Sequence, residues 1–516
     1  MLLSLFISSV VFLRGHLVTS ERILLAGVHV PSHLQQLQEV GEALDKRGHS
    51  VYIVIDEDFP NREKLVKPGI TAVTFHSTDI HFPRYWSETA THGLMSMILG
   101  KEAQSVILSM QMGMQDCSNM MQDDVFMSKV TALKFDLLIF DGFFYCPCNV
   151  ILASRLSIPA VFVSCSFLGW NARVSINPAV TPLVIFDYSD RMTFLQRLVN
   201  IVVYVGSTVY KVNEHNTTLL QKFAPGATSW TELQQQTTVL YIITRDHLLE
   251  WPEPQMPNVI RIPGVTTRPA GELPRQLKEL MDAASDGAIV LSFGGTVSAQ
   301  FPTEVISKFF NAFSQLKQTV IFKMNGTYVT MPINIPRNVH LLSWLPQNDL
   351  LGHPNTVLFI THCGNNGQYE SLYHGVPMIG FPLFAEQSHN AFRMVDHGYG
   401  LRMNILKFAA DELVNNIHKV LNEKSFKMAT QKASDILKSQ PMTAQDTAAY
   451  WVDHVLKHGS EHLQTGAMDM SLYQFFMLDI LLFVLVVSFL SGYVLKTIFT
   501  VVCRKCLRKQ TKQKQL

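Results

Sequence analysis

A buried strand that runs straight into a glycine-rich turn and then a helix leaves few folds open, and residues 344–387 have that order. Trp344-Leu-Pro-Gln347 opens the stretch and Thr356-Val-Leu-Phe-Ile-Thr361 is an apolar, β-branched run. His362-Cys363-Gly364-Asn365-Asn366-Gly367 follows, then Glu370 and Ser371, and Phe384-Ala-Glu386-Gln387 closes it. Such a turn gathers free backbone N–H groups and the positive end of a helix dipole at one point, which suits a diphosphate. Gly364 and Gly367 let the backbone approach phosphate oxygens. His362 adds a donor, Trp344 a flat face for a nucleobase, and Glu370 an acceptor for ribose hydroxyls.

The rest of the chain alternates strand and helix, the pattern of parallel α/β sheets. Arg22–Val28 reads as a strand, His29–Ser32 as a loop, His33–Arg47 as a helix and Val51–Ile55 as the next strand. Ser32 is the expected N-cap, which puts His33 in the first helical turn, where the dipole favours neutral imidazole. A neutral histidine there suits a general base, with His29 as the neighbouring alternative. Phe135–Asp141 is a buried strand ending in a carboxylate. Ala288–Ser292 runs into Phe293-Gly294-Gly295-Thr296, and Val320–Lys323 and Val339–Leu342 continue the alternation. With 516 residues, two such domains are expected.

The ordered run from Trp344 to Gln387 resembles the signature of the UDP-glycosyltransferases, the superfamily that includes the glucuronosyltransferases. Their motif opens with Trp-x-x-Gln, continues as Thr-His-Gly-Gly-x-Asn-Ser-x-x-Glu, and ends in Asp-Gln or Glu-Gln. Here Cys363 replaces the first Gly and Gly367 the Ser. The resemblance extends from about Arg22 to the tail: Ser32-His33, Asp141 with Cys146-Pro147, Met192–Asn200 and Trp251–Gly264 each match a family segment. Glu253 stands for a usual Arg, Pro263 for a Gly, and Gly295 for a phosphate-side Ser that Thr296 partly replaces.

The resemblance implies the GT-B fold, two facing Rossmann-like domains with a cleft between them. It implies an inverting transfer from a UDP-sugar to a hydroxyl of a small lipophilic acceptor. His33 would be the base and Asp141 its partner. Gly295, Thr296, Trp344, Gln347, His362, Gly364, Asn366, Gly367, Glu370, Glu386 and Gln387 would hold the donor, with no metal and no cofactor beyond that co-substrate. Gln387 resembles users of glucose or glucuronic acid; the membrane-anchored animal type points to glucuronic acid. The alternatives are a UDP-glucose-using enzyme and a catalytically weak, nucleotide-sugar-binding regulatory partner.

The implied division is a signal peptide at 1–20, an N-terminal acceptor domain at 21–265, a linker at 266–274 and a donor domain at 275–458. A juxtamembrane segment at 459–478, a transmembrane helix at 479–503 and a basic tail at 504–516 follow. Residues 1–13 form an apolar h-region, with Val18-Thr-Ser20 as small residues for cleavage; an uncleaved anchor is the rival. Ile480–Leu495 is uncharged and edged by Asp479 and Lys496, and Arg504, Lys505, Arg508 and Lys509 mark the cytosolic side. Lys512 and Lys514 resemble the Lys-x-Lys-x-x retrieval signal, which implies the endoplasmic reticulum with the catalytic body in the lumen. Asn216-Thr-Thr and Asn325-Gly-Thr are sequons for luminal glycosylation.

A net charge of +1 argues against nucleic acid as a partner, and the seven cysteines show no metal-ligand spacing. The methionine-rich stretch from Pro83 to Lys129 suits a permissive acceptor pocket and ordinary helix packing equally well. Asp123-Asp124 within it reads as a solvated face. Leu198–Val205 fits either a membrane face or a core. Thr447–Lys457 is expected to be a helix that returns to the first domain.

Overall fold

In the computed structural model the described residues are 20–27, 31–57, 59, 66–76, 114–142, 148–165, 169–210, 218–295, 301–324 and 334–513. The chain divides into two compact units, Met1–Leu463 and Gln464–Leu516. Within the larger unit two parallel sheets form. The first contains β1 (Arg22–Ala26), β2 (Ser50–Asp56), β3 (Ile70–Phe75), β4 (Leu137–Asp141), β5 (Ala160–Ser164), β6 (Thr238–Ile243) and β7 (Val259–Arg261), in the order β3-β2-β1-β4-β5-β6-β7. The second contains β8 (Ala288–Ser292), β9 (Thr319–Lys323), β10 (Val339–Leu342), β11 (Thr356–Thr361), β12 (Met378–Gly380) and β13 (Gly400–Arg402), in the order β10-β9-β8-β11-β12-β13.

All five residues of β4, β5 and β8 are buried, as strands covered on both faces require. That is why these stretches are continuous apolar runs rather than alternating ones. In both sheets the strand order reverses once, between β1 and β4 and between β8 and β11. Open parallel sheets bind ligands beyond the carboxyl ends of the strands flanking such a reversal.

Helix α1 (Pro31–Asp45) follows β1, α2 (Cys148–Leu156) follows β4, and α3 (Phe194–Tyr210) lies between β5 and β6. In the second sheet's layers are α4 (Thr303–Phe313), α5 (Asn365–Tyr373), α6 (Gln387–Asp396), α7 (Ala410–Asn422) and α8 (Lys424–Lys438). Helix α9 (Ala444–His458) crosses back, as expected. Its Ala444, Ala448, Ala449, Val452 and Val455 join one core with Ile23 and Leu25 of β1 and Leu34 and Leu37 of α1. Asp453 fastens it, bonding His49 Nε2 and Arg47 Nη1 at 2.7 Å each.

Two local expectations are corrected and one open alternative is resolved into two faces. Helix α1 starts at Pro31, so Ser32 lies inside the first turn rather than at the cap; proline's fixed φ suits the first helical position. Asp123 is a cap, not a solvated face: its carboxylate accepts from the Phe126 N–H at 2.9 Å and the His76 N–H at 2.8 Å. The stretch Leu198–Val205, left open between a membrane face and a core, is two-sided in α3: Leu198, Val199, Val202 and Val205 are exposed while Asn200 and Tyr204 are buried. Of the methionine-rich stretch, residues 83–113 lie outside the described residues, while Met120 and Met121 join the core of the first sheet.

A disulfide joins Cys117 to Cys148 at the start of α2. In the smaller unit, α10 (Leu478–Gln513) contains Leu478–Lys505, long and apolar enough to cross a membrane.

Candidate active site

His33 and Asp141 flank the reversal in the first sheet, one from the helix after β1 and the other at the end of β4. His33 Nδ1 is 2.8 Å from Asp141 Oδ2, and the carboxylate is only 4% exposed. This bond puts the imidazole proton on Nδ1 and the basic lone pair on Nε2. Burial works against a charged His33, but the Asp141 carboxylate outweighs it, and Glu386 adds in the same sense, so its pKa is raised. The helix dipole is therefore not the main influence on His33, whose pKa Asp141 and Glu386 raise. A full carboxylate in contact outweighs a fractional helix-end charge. The outcome is a stronger base whose conjugate acid is held.

The donor-side residues gather around the second reversal. Helix α5 begins at Asn365, and its first intrahelical bond to Gly364 O comes from the Gln368 N–H. The N–H groups of Asn365, Asn366 and Gly367 thus have no intrahelical acceptor, the arrangement that suits an anion. His362 stands beside them. Burial and the nearby Lys323 ammonium push its imidazole down to about 4, leaving a neutral N–H donor at pH 7. A Cβ on Gly364 would lie 2.5 Å from His362 Nε2, and one on Gly294 2.9 Å from it. Both glycines make room for that ring.

Cys363, in the place of the family's Gly, has φ +67 and is fully buried, so the backbone keeps the shape a glycine would take. Gly367, in the place of the Ser, is also tightly set. A Cβ there would lie 3.3 Å from Gln347 Nε2 and 3.4 Å from the Phe359 ring.

Gln347 Nε2 donates to Glu370 Oε2 at 2.7 Å, and Thr266 Oγ1 donates to Glu370 Oε1 at 3.0 Å. Burial pushes the Glu370 carboxyl up to about 7 against those two bonds. Trp344 is 69% exposed, with the Lys323 ammonium 4.6 Å from its ring centroid. Gln387 is buried, and its Oε1 accepts from the N–H groups of Leu383 and Phe384 at 3.0 and 3.1 Å, so its carbonyl shapes the preceding loop. Glu386 lies at the start of α6, close enough to His33 to act on its charge.

The two halves meet. Asn366 Nδ2 donates to Ser32 O at 3.5 Å, and Gly295 lies against Pro31. The segment after β6 docks on α5 and α6: Tyr369 Oη donates to Asp246 Oδ1 at 2.9 Å, Asn365 Nδ2 to Thr244 O at 2.9 Å, and Glu250 pairs with both Arg245 and Arg393. His33, Asp141 and Glu386 are therefore brought together beside the start of α5. Thr296, His29, Cys146, Pro147, Asn216 and Asn325 lie outside the described residues.

Sequence reasoning missed Lys323, Thr266, Asp246 and Tyr369. A lysine closing the apolar run Thr319–Lys323 was a readable sign for the first. The other three carry none, because their partners are distant in the chain.

The family model "UDP-glucoronosyl and UDP-glucosyl transferase" matches residues 22–513. The chain is similar to UDP-glucuronosyltransferase 1A6 of Mus musculus, at 31% identity over 92% of this chain and 90% of that protein. It is similar at 31% to UDP-glucuronosyltransferase 1A6 of Homo sapiens, over 94% and 92%. Among solved structures it resembles the glycosyltransferase VinC in complex with dTDP, with a TM-score of 0.59 and 19% identity over 85% of this chain and 100% of that one. It also resembles a UDP-glucosyltransferase from Polygonum tinctorium, with a TM-score of 0.58 and 17% identity over 85% and 99%. These likenesses identify the fold as GT-B.

Proposed function

Because this chain belongs to the UDP-glucuronosyl and UDP-glucosyl transferase family, and so transfers a sugar from a UDP-sugar, we propose that it does so with inversion through His33 and Asp141. The observation that carries this reading is the 2.8 Å His33–Asp141 pair set across one cleft from the amino end of α5. His33 Nε2 takes the acceptor's hydroxyl proton as that oxygen attacks the anomeric carbon. The bond from that carbon to the UDP oxygen breaks on the opposite face, and UDP leaves with the bonding pair. Asp141 holds the imidazolium. His362 and the amide groups of α5 meet the charge growing on UDP. Trp344 and Gln347 face uracil and ribose, Glu370 accepts from ribose hydroxyls, and Glu386 and Gln387 hold sugar hydroxyls.

Glucuronic acid is the sugar the similar mammalian enzymes name, and it is the donor we assign, with a small lipophilic alcohol or phenol as acceptor. One observation favours glucose as a second reading. Arg245, Arg261, Arg393 and Arg402 are each paired with a carboxylate of the chain itself. A sugar carboxylate beside Glu386 would need another cation.

The protein is placed in the endoplasmic reticulum membrane on one helix, with its body in the lumen. The basic residues after Lys496 and the Cys117–Cys148 bond, which forms in oxidising compartments, support this. Residues 266–274 are taken as the interdomain linker.

UDP release by the full chain in detergent, with UDP-glucuronic acid, UDP-glucose and a mixed phenol and steroid set, tests the proposal. Acceptor-dependent release that disappears in His33→Ala is expected, greatest with UDP-glucuronic acid. Release that survives His33→Ala removes the base assignment, and a larger rate with UDP-glucose selects the second donor.

A further inference from the structure

Thr266 lies where the first domain leaves its last strand, outside every motif of the donor site. It is 2% exposed, and its hydroxyl donates to Glu370 Oε1 at 3.0 Å. The segment that carries it is fixed from two sides. Gly264 has φ +41, and a Cβ there would lie 2.2 Å from Tyr369 Cβ, so the chain crosses α5 in direct contact. On the other side Gln445 of α9 donates from one Nε2 to Val265 O at 2.6 Å and to Thr267 O at 2.9 Å, the two carbonyls that bracket Thr266. We propose that Thr266, held by Gln445, is a positioning residue for the donor: it fixes the Glu370 carboxylate in the orientation and charge state that accept ribose hydroxyls. This rests on the reading above that Glu370 meets the ribose.

The geometry leaves room for that role. A carboxylate has about four acceptor positions. Thr266 takes one on Oε1 and Gln347 one on Oε2, so each oxygen keeps a position for a ligand hydroxyl. Both bonds favour the charged form that accepts, against burial that favours the neutral one. The charged groups facing Glu370 are Arg268 of the linker, Glu39 of α1 and Lys323 at the end of β9. Arg268 also holds Asp349 at 2.8 Å, so its charge is shared. Among the described residues, the hydroxyl of Thr266 is thus one of two direct side-chain donors that favour the ionised form of this buried carboxylate. It also links donor recognition to the segment that joins the domains.

The test is calorimetric titration of the full chain in detergent with UDP, from pH 6 to 8.5. Thr266→Val keeps the shape and removes the hydroxyl. The dissociation constant is expected to rise about tenfold at pH 7, as for a lost hydrogen bond to a charged group. The ratio to the unmodified protein should widen towards pH 6, because Glu370 then protonates more readily. Thr266→Ser should restore both. Gln445→Ala, distant from the ligand, should shift affinity in the same sense by less. With saturating acceptor, the KM for the UDP-sugar should rise more than kcat falls. If Glu370→Gln weakens UDP binding while Thr266→Val matches the unmodified protein across the pH range, the inference is overturned and the ribose assignment survives. If Glu370→Gln leaves UDP binding unchanged, the ribose assignment falls first and this inference falls with it. A loss in Thr266→Val that is the same at every pH and persists in Thr266→Ser reveals linker packing alone and also overturns it.

Discussion

Replacing Asp141 by Asn removes a charge and little else. The side chain keeps its shape and an oxygen that can accept from His33 Nδ1. What disappears is the carboxylate 2.8 Å from the imidazole. A hydrogen bond to a charged group contributes about 1.5–3 kcal/mol. With Asp141 4% exposed, the upper end applies. A loss of about 3 kcal/mol from the transition state, where His33 becomes imidazolium, lowers kcat about 150-fold. The pH profile should move in the opposite sense to the rate. In the native site burial disfavours charge on His33, while Asp141 and then Glu386 outweigh it and raise the pKa. Activity needs the neutral base, so it is lost as pH falls through that raised value. In Asp141→Asn the main raising influence is gone while burial remains, so the acid limb of kcat shifts to lower pH even as the plateau falls. Initial rates of UDP release with saturating donor and acceptor, from pH 5 to 9, measure both. A plateau within fivefold of native, or an acid limb that stays in place, would refute the account of His33 as a base supported by Asp141.

Four further outcomes follow from the geometry. Gly364→Ala puts a methyl group 2.5 Å from the native position of His362 Nε2; UDP affinity should fall at least about tenfold with little change in thermal midpoint, since the ring can swing out. Cys363→Val forces a β-branched residue to φ +67 and should destabilise by about 2 kcal/mol or more in thermal unfolding. Cys363→Gly should stay within about 1 kcal/mol, because relief of that strain offsets lost packing. Reducing the Cys117–Cys148 bond, which spans 31 residues, should cost about 3.5 kcal/mol by loop entropy and lower the midpoint under dithiothreitol.

The sheets were legible because parallel strands buried on both faces leave continuous β-branched runs, as in Thr356–Thr361 and Ala288–Ser292. His33, Asp141 and the α5 turn were legible because each sits just beyond such a run, where a reversal of strand order places ligands. Other features depend on partners far along the chain, and spacing does not reveal them. Thr266 meets a carboxylate 104 residues later, and Tyr369 meets Asp246 123 residues earlier. The start of α1 was misplaced by two positions because serine's capping preference competed with proline's preset φ, and the proline prevailed. The balance at His33 was misweighed because the dipole alone was set against its charge, while the Asp141 carboxylate and Glu386 raise its pKa.

The return of α9 bears on how the protein is made. Ile23, Leu25, Leu34 and Leu37 leave the ribosome early, yet they share their core with Ala448, Ala449 and Val452, more than 400 residues behind them. At about 5–20 residues per second, synthesis alone delays that last piece by tens of seconds. During that interval the apolar surface that α9 covers in the finished fold is left as an open groove. The strands of the second sheet must emerge and pair while the groove stays open. Translation that stops before residue 444 would therefore leave the core around β1 and α1 incomplete too, and a chaperone that guards the groove would have to yield to α9.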